Sequence, residues 1–330
     1  MLLPSRRKWF LVSAICAAGV LWGGNQAGGD RQVAITPRPK PAAKEEVLPK
    51  SNIRSDVNLV LIPVTVTDPL NRFVTGLEKE NFKVFEDKKQ QVISQFSSED
   101  APLSIGILFD CSGSMGAKLA KSREAVAQFL KTANPEDEFY LVQFNDTADL
   151  VQPFTSSTGE IRGRLSFTQS KGLTALLDAV YLGLHEMKRA RNGRKAILII
   201  SDGGDNSSRY TEGELRNLVK EADVQIYAIG IYEPLGSRSR TPEESNGPAL
   251  LSELADQTGG RQYQVENTNE LPDIAAKIGV ELRNQYVLGY SSSNQEHDGK
   301  YRRVEVKLVQ PPRMPLLRAF WRMGYHAPEK

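Results

Sequence analysis

Three oxygen-bearing side chains alternate in Asp110-Cys111-Ser112-Gly113-Ser114, directly after the apolar run Ile105-Gly106-Ile107-Leu108-Phe109. One carboxylate and two hydroxyls suit a hard cation such as Mg²⁺, which takes oxygen ligands, keeps several waters and needs few charged groups. Alternating residues on a tight turn can aim Asp110, Ser112 and Ser114 at one point, with Gly113 letting the backbone bend between the hydroxyls. Two further oxygens stand at matching places. Thr174 follows Gly172-Leu173 and opens a predicted helix, and Asp202 in Ser201-Asp202-Gly203 closes the apolar run Ile197-Leu198-Ile199-Ile200. The spacing D-x-S-x-S alone recurs by chance. Joined to a Thr at a helix start and an Asp-Gly at a strand end, it becomes specific.

The elements that must position these residues can be read from periodicity. Strands are predicted over 103–110, 138–145, 150–154, 195–201, 224–231 and 261–265, several of them short continuous apolar runs. Such runs mark strands covered on both faces of a parallel sheet. Helices are predicted over 118–131, 174–190, 211–222, 249–257 and 270–283. Strand and helix in alternation give an α/β fold with a doubly wound, mostly parallel, Rossmann-like sheet. Ligands of such sheets bind beyond the carboxyl ends of the strands, where all five oxygen donors fall. Pro153 lacks a ladder donor and predicts a short edge strand.

Residues 56–100 and 285–326 read as β. Val57, Leu59 and Leu61 alternate in one phase and Val64 and Val66 in the other, with Pro63 at the switch. Phe82 and Val84 lead through Glu86-Asp87-Lys88-Lys89 to Val92, Ser94 and Phe96 at period two. Near the other end Tyr286, Leu288 and Tyr290 alternate. After Asp298-Gly299, Val304, Val306 and Leu308 alternate with charged residues. Each flank is too short to bury a core alone. Together they are expected to form one smaller β domain, with the α/β domain (101–284) inserted between its halves.

The metal pattern resembles the von Willebrand factor type A family, whose metal-ion-dependent adhesion site has the form D-x-S-x-S…T…D. Asp110, Ser112, Ser114, Thr174 and Asp202 match every position across about residues 103–280. The resemblance implies direct coordination by Ser112 and Ser114, and coordination by Thr174 directly or through water. It implies that Asp110 and Asp202 act mostly through water, and that an open position takes a Glu or Asp side chain from a protein partner. Mg²⁺ is the expected ion, with Mn²⁺ and Ca²⁺ as substitutes. Leu59 to Asp68, Asn81 to Phe96, Tyr286-Val287-Leu288-Gly289-Tyr290 and Gly324-Tyr325 look like a subfamily of exported bacterial proteins related to this family.

Rival chemistries are weaker. Ser112-Gly113-Ser114-Met115-Gly116 approximates a nucleophile elbow, and Ser114, Asp202 and His297 stand in serine-hydrolase order. The first Gly of that motif is replaced, and His297 lies in a polar turn outside the α/β unit. An aspartyl phosphotransferase needs a carboxylate where Ser112 stands. No P-loop or dinucleotide fingerprint supports nucleotide binding. A net charge of +2, with no block of like charge in the part that reads as folded, argues against nucleic acid. Two bland readings also stand: the hydroxyls could cap helices, and the chain could be a structural scaffold with an idle metal site. Cys111 reads as a small buried residue, and Asp205 and Asn206 as rim residues that shape the site.

At the N-terminus Arg6, Arg7 and Lys8 precede an uncharged, mostly apolar run over residues 9–22. Basic residues before a short apolar run form an export signal over 1–27, either a cleaved signal peptide or an uncleaved anchor. The Pro-, Lys- and Ala-rich stretch 28–55 follows as a semi-rigid tether. The protein is therefore expected outside the cytoplasm, secreted or periplasmic, touching a membrane only through this N-terminal segment. The polar segment 232–248 is expected to be a long loop on the rim of the metal face.

Overall fold

The computed structural model describes residues 59–232, 242–312 and 314–329. The signal and tether readings, with the 233–241 part of the polar segment, lie outside the described residues. Four strands come first: β1 (Leu59–Thr67), β2 (Phe82–Glu86), β3 (Lys89–Gln91) and β4 (Ile93–Ser97). The α/β region begins with β5 (Leu103–Asp110), α1 (Leu119–Leu130), β6 (Glu138–Phe144), β7 (Ala148–Thr155), α2 (Thr158–Ser166) and α3 (Leu176–Met187). It continues with β8 (Arg194–Ser201), α4 (Glu212–Glu221), β9 (Gln225–Ile231), α5 (Pro242–Thr258), β10 (Gln262–Val265) and α6 (Leu271–Arg283). The chain ends on β11 (Tyr286–Ser291), β12 (Tyr301–Leu308), β13 (Arg318–Trp321) and β14 (Gly324–His326).

The central sheet has the order β10-β9-β8-β5-β6-β7, parallel except for β7, which runs antiparallel along β6 at the edge. All eight residues of β5 are buried. Ile105, Ile107 and Phe109 face one core with α1, α2 and α6, while Leu108 faces the other with α3, α4 and α5. Strand direction therefore alternates side chains between two apolar layers. Chain order climbs from β5 outward to β7, then restarts at β8 on the other side of β5. The C-terminal ends of β5 and β8 thus flank the topological switch point, where doubly wound sheets leave a crevice.

The flanks build two antiparallel sheets, β13-β1-β11-β4 and β14-β12-β2-β3, around one apolar core. Ile62, Val64 and Val66 of β1 meet Tyr286, Leu288 and Tyr290 of β11 and Val304 and Val306 of β12 there. Both flanks therefore share sheets and core, with the α/β region inserted between them. Between the flank and the α/β region is a crevice of about 370 Å³, its lining including Pro63 and Val287 on one side and Pro102, Lys195 and Gln225 on the other. The β domain thus packs at the N-terminal ends of the central strands, away from the switch point.

Several local expectations are corrected. Leu59 and Leu61 are 37% and 47% exposed, so the first phase of β1 faces outward. Val92 is 81% exposed, because the chain passes there from one sheet to the other and Ile93 turns inward instead. The edge strand containing Pro153 is longer than expected, eight residues. Helix α2 has no counterpart among the predicted helices, because it buries only Ile161 and Leu165 and so carries too little apolar periodicity. Helix α5 starts at Pro242, so part of the expected polar loop is helical. The turn after β2 places both Asp87 and Lys88 at positive φ, the left-handed pair that closes a tight hairpin without glycine.

Candidate metal centre

Asp110 closes β5 and is fully buried. Its Oδ1 accepts the N–H of Ser112 at 2.8 Å, and its Oδ2 accepts the hydroxyl of Ser201 at 2.6 Å. Burial, and then the charge of Asp202, push this carboxyl up to about 7, against the lowering effect of the Ser201 and Ser112 hydrogen bonds. The turn that follows brings Ser112 Oγ and Ser114 Oγ to 3.0 Å. Ser112 is buried and Ser114 half-buried, so the pair faces the open end of the sheet.

A second loop clamps this turn. The N–H of Gly113 donates to Gly172 O at 3.0 Å, and the N–H of Lys171 donates to Cys111 O at 2.9 Å. Ser170 Oγ donates to Ser112 O. Gly172 sits at φ +78, and a Cβ there would fall on the Asp146 carboxylate, so no other residue fits without strain. Gly113 has another role than the expected bend. It lies in a short 3₁₀ turn, Gly113–Met115, and an added Cβ would come within 3.2 Å of Gly172 O. Close approach of the two loops explains the glycine.

The same loop carries Thr174, buried at 5% exposure. Its N–H donates to Asn206 Oδ1 at 2.8 Å, and its carbonyl accepts from the N–H groups of Asn206 and Ser207 at 3.0 and 3.2 Å. Thr174 does not open the helix, as the sequence suggested. Helix α3 starts at Leu176, whose N–H is taken by Asp205 Oδ1 at 2.9 Å. Asp205 and Asn206 thus hold the Thr174 segment, and burial raises the Asp205 carboxyl above its ordinary value. Asp202 follows β8 at 7% exposure, and its Oδ2 accepts from Lys118 Nζ at 3.1 Å.

The structure therefore gathers the expected residues at the switch point from three segments: Asp110, Ser112 and Ser114 after β5, Thr174 before α3, and Asp202 after β8. Helix capping does not account for the hydroxyls. Ser112 makes no side-chain cap bond, and the N-caps of α1 and α3 are Lys118 and Ala175. The hydrolase arrangement gains no support either. Ser114 Oγ faces Ser112 Oγ, Asp202 pairs with Lys118, and His297 lies on the loop joining β11 to β12 in the flanking sheets. Among the described residues no three His, Cys, Asp or Glu side chains gather as a metal cluster. The donors here are mainly neutral hydroxyls. The charge of Asp202 raises the cost of ionising Asp110, which favours a cation nearby, and the donor set fits a hard divalent ion.

Sequence reasoning missed Ser201, Ser170 and Lys118. Ser201 stands beside Asp202 in the chain, which was the available signal. Lys118 carries no signal in the sequence beyond its place at the start of a predicted helix. Cys111 is buried and bonded through Sγ to Phe144 O at 3.2 Å.

Residues 105–204 match the family model described as the von Willebrand factor type A domain. A protein of Borreliella burgdorferi described as uncharacterized is 27% identical over 188 residues, 51% of this chain and 55% of that protein. The mouse inter-alpha-trypsin inhibitor heavy chain 4 is 27% identical over 153 residues, 42% of this chain and 16% of that one. This chain thus spans about half of the first relative and a small part of the second. A solved von Willebrand factor type A structure from Catenulispora acidiphila superposes with a TM-score of 0.49 at 12% identity, covering 84% of this chain and 75% of that one. The family match lies over the strands of the doubly wound sheet that carry Asp110 and Asp202, so residues 105–204 of the chain are similar to a von Willebrand factor type A domain.

Proposed function

We propose that this protein is an extracytoplasmic, metal-dependent protein-binding module rather than an enzyme. The reading rests on one observation above the rest: Ser112 Oγ and Ser114 Oγ stand 3.0 Å apart over a buried Asp110 carboxylate at the switch point. Ser112 and Ser114 would hold a divalent cation directly, Thr174 directly or through water, and Asp110 and Asp202 through water. A cation bound so would keep much of its charge and one open position for an oxygen anion. Neutral hydroxyls are what leave that charge unspent. The matching partner group is a Glu or Asp side chain on another protein. Export is supported by Arg6-Arg7-Lys8 ahead of the apolar run 9–22, and residues 28–55 would tether the head. Protease treatment of intact cells or spheroplasts tests export; a head domain that stays protected in the cytoplasmic fraction overturns it.

Calorimetric titration of Mg²⁺ or Mn²⁺ into wild type and Asp110→Ala tests the metal step. Wild type is expected to bind and Asp110→Ala not to bind, with Ser112→Ala and Ser114→Ala weakened. Ser112→Ala and Ser114→Ala should fold, since neither side chain makes a cap bond, and Asp110→Ala, which loses its bonds to Ser112 N and Ser201 Oγ, is checked by its unfolding midpoint alongside the titration. Equal heats from wild type and Asp110→Ala would sink the proposal.

A further inference from the structure

We propose that Lys118 is a tethered counter-cation of this centre: it neutralises Asp202 when no metal is bound, and it leaves the metal-loaded site with an excess positive charge that favours an anionic partner. The inference rests on the metal reading above and deepens it. Lys118 Nζ lies 3.1 Å from Asp202 Oδ2, and the two side chains are only 9% and 8% exposed. Lysine is almost never buried without a partner, and its partner here is one of the carboxylates assigned to the cation.

The backbone fixes this pairing. The N–H of Lys118 donates to Met115 O at 2.9 Å, and its carbonyl accepts from Ser122 N and Ser122 Oγ, each at 3.0 Å. The Cα is therefore held by the same turn that presents Ser112 and Ser114. The four-carbon stem still lets the ammonium retract when a second cation arrives.

Charge decides the consequence. Asp110 and Asp202 as carboxylates contribute two negative charges and Lys118 one positive charge. A divalent ion then brings the group to a net of plus one, whereas without Lys118 it would reach zero. Repulsion between ammonium and metal weakens metal binding, while the excess charge strengthens attraction for an incoming carboxylate. Lys118 thus exchanges metal affinity for ligand affinity.

The test uses the full chain and Mg²⁺ or Mn²⁺ alone. Lys118→Met keeps the stem and removes the charge, and Lys118→Arg keeps the charge. Lys118→Met is expected to bind metal at least about tenfold more tightly than wild type, with Lys118→Arg close to wild type. Melting gives a second readout: metal-free Lys118→Met should melt lower than wild type, because Asp202 loses its ammonium, and should gain more from added metal. Should Lys118→Met not fold, Lys118→Gln, whose amide can still donate to Asp202, serves the same comparison. Equal or weaker metal affinity in the uncharged variant overturns the inference while leaving the metal site standing. If neither wild type nor variant binds metal, the metal reading itself falls, and this one with it.

Discussion

The hydroxyl of Ser201 donates to Oδ2 of Asp110 at 2.6 Å, tying the end of β8 to the end of β5 across the switch point. Both residues are fully buried, and Ser201 Oγ also accepts the N–H of Gly203 at 3.0 Å. This one side chain therefore orients a proposed metal carboxylate and shapes the turn that carries another, Asp202.

Ser201→Ala removes both bonds and leaves a buried carboxylate short of a donor. The expected cost is about 1.5–3 kcal/mol of stability, together with weaker metal binding. Urea denaturation measures the first and calorimetry the second. Ser201→Thr should recover most of both, and an unchanged unfolding midpoint in Ser201→Ala would refute the role.

Arg261 joins the α/β region to the β domain. Its guanidinium lies over the Phe320 ring, 4.4 Å from the centroid, reaches Glu281 Oε2 at 3.3 Å, and donates to Asn71 Oδ1 at 3.1 Å. Removing one partner of a buried pair strands the other charge. Arg261→Ala is expected to destabilise by about 3–5 kcal/mol. A chemical denaturation curve within about 1 kcal/mol of wild type would show the contact to be dispensable.

Glu281 gives a pH dependence. Its carboxyl is raised above the ordinary value of 4.5 by burial, opposed by Arg261 and by hydrogen bonds from Tyr263 and Tyr227. A raised carboxyl binds its proton more tightly folded than unfolded, so its contribution is complete below about pH 4.5 and lost as pH rises through the folded value. The neutral amide of Glu281→Gln lacks that loss. Melting temperatures of the two proteins should diverge as pH is raised from 4.5, wild type falling relative to the variant. Parallel profiles would contradict the assignment.

Cys111 should be inert in the native state. Burial first, then the Asp110 charge, pushes its thiol up to about 11, and the thiolate is the reactive form. Iodoacetamide at pH 8 is expected to label it only after unfolding. Rapid labelling of the folded protein would show an accessible thiolate.

Much of this architecture is local in origin and therefore legible along the chain. The β5 run is buried on both faces, so it reads as continuous apolar sequence ending in Asp110. The alternation of Val304 and Val306 with Arg303 and Glu305 likewise reports one dry and one wet face. Asp110, Ser112 and Ser114 could be named because they share one turn. Asp202 could be named because it follows a strand that periodicity reveals, and Thr174 because it stands two residues ahead of a helix that periodicity reveals. Helix α2 escaped because two buried residues make no readable period.

Only the tertiary structure decided which groups meet. That Ser201 serves Asp110 depends on the parallel pairing of β5 with β8, which sets Phe109 opposite Ile200. That Lys118 serves Asp202 depends on where α1 begins relative to a strand 84 residues away in sequence. The passage of the chain between sheets at Val92 is likewise set by pairing with β11, not by its own residues. Periodicity records which face of an element is dry. It carries no record of the partner across the gap, because register between distant segments is fixed by the packing of the whole core.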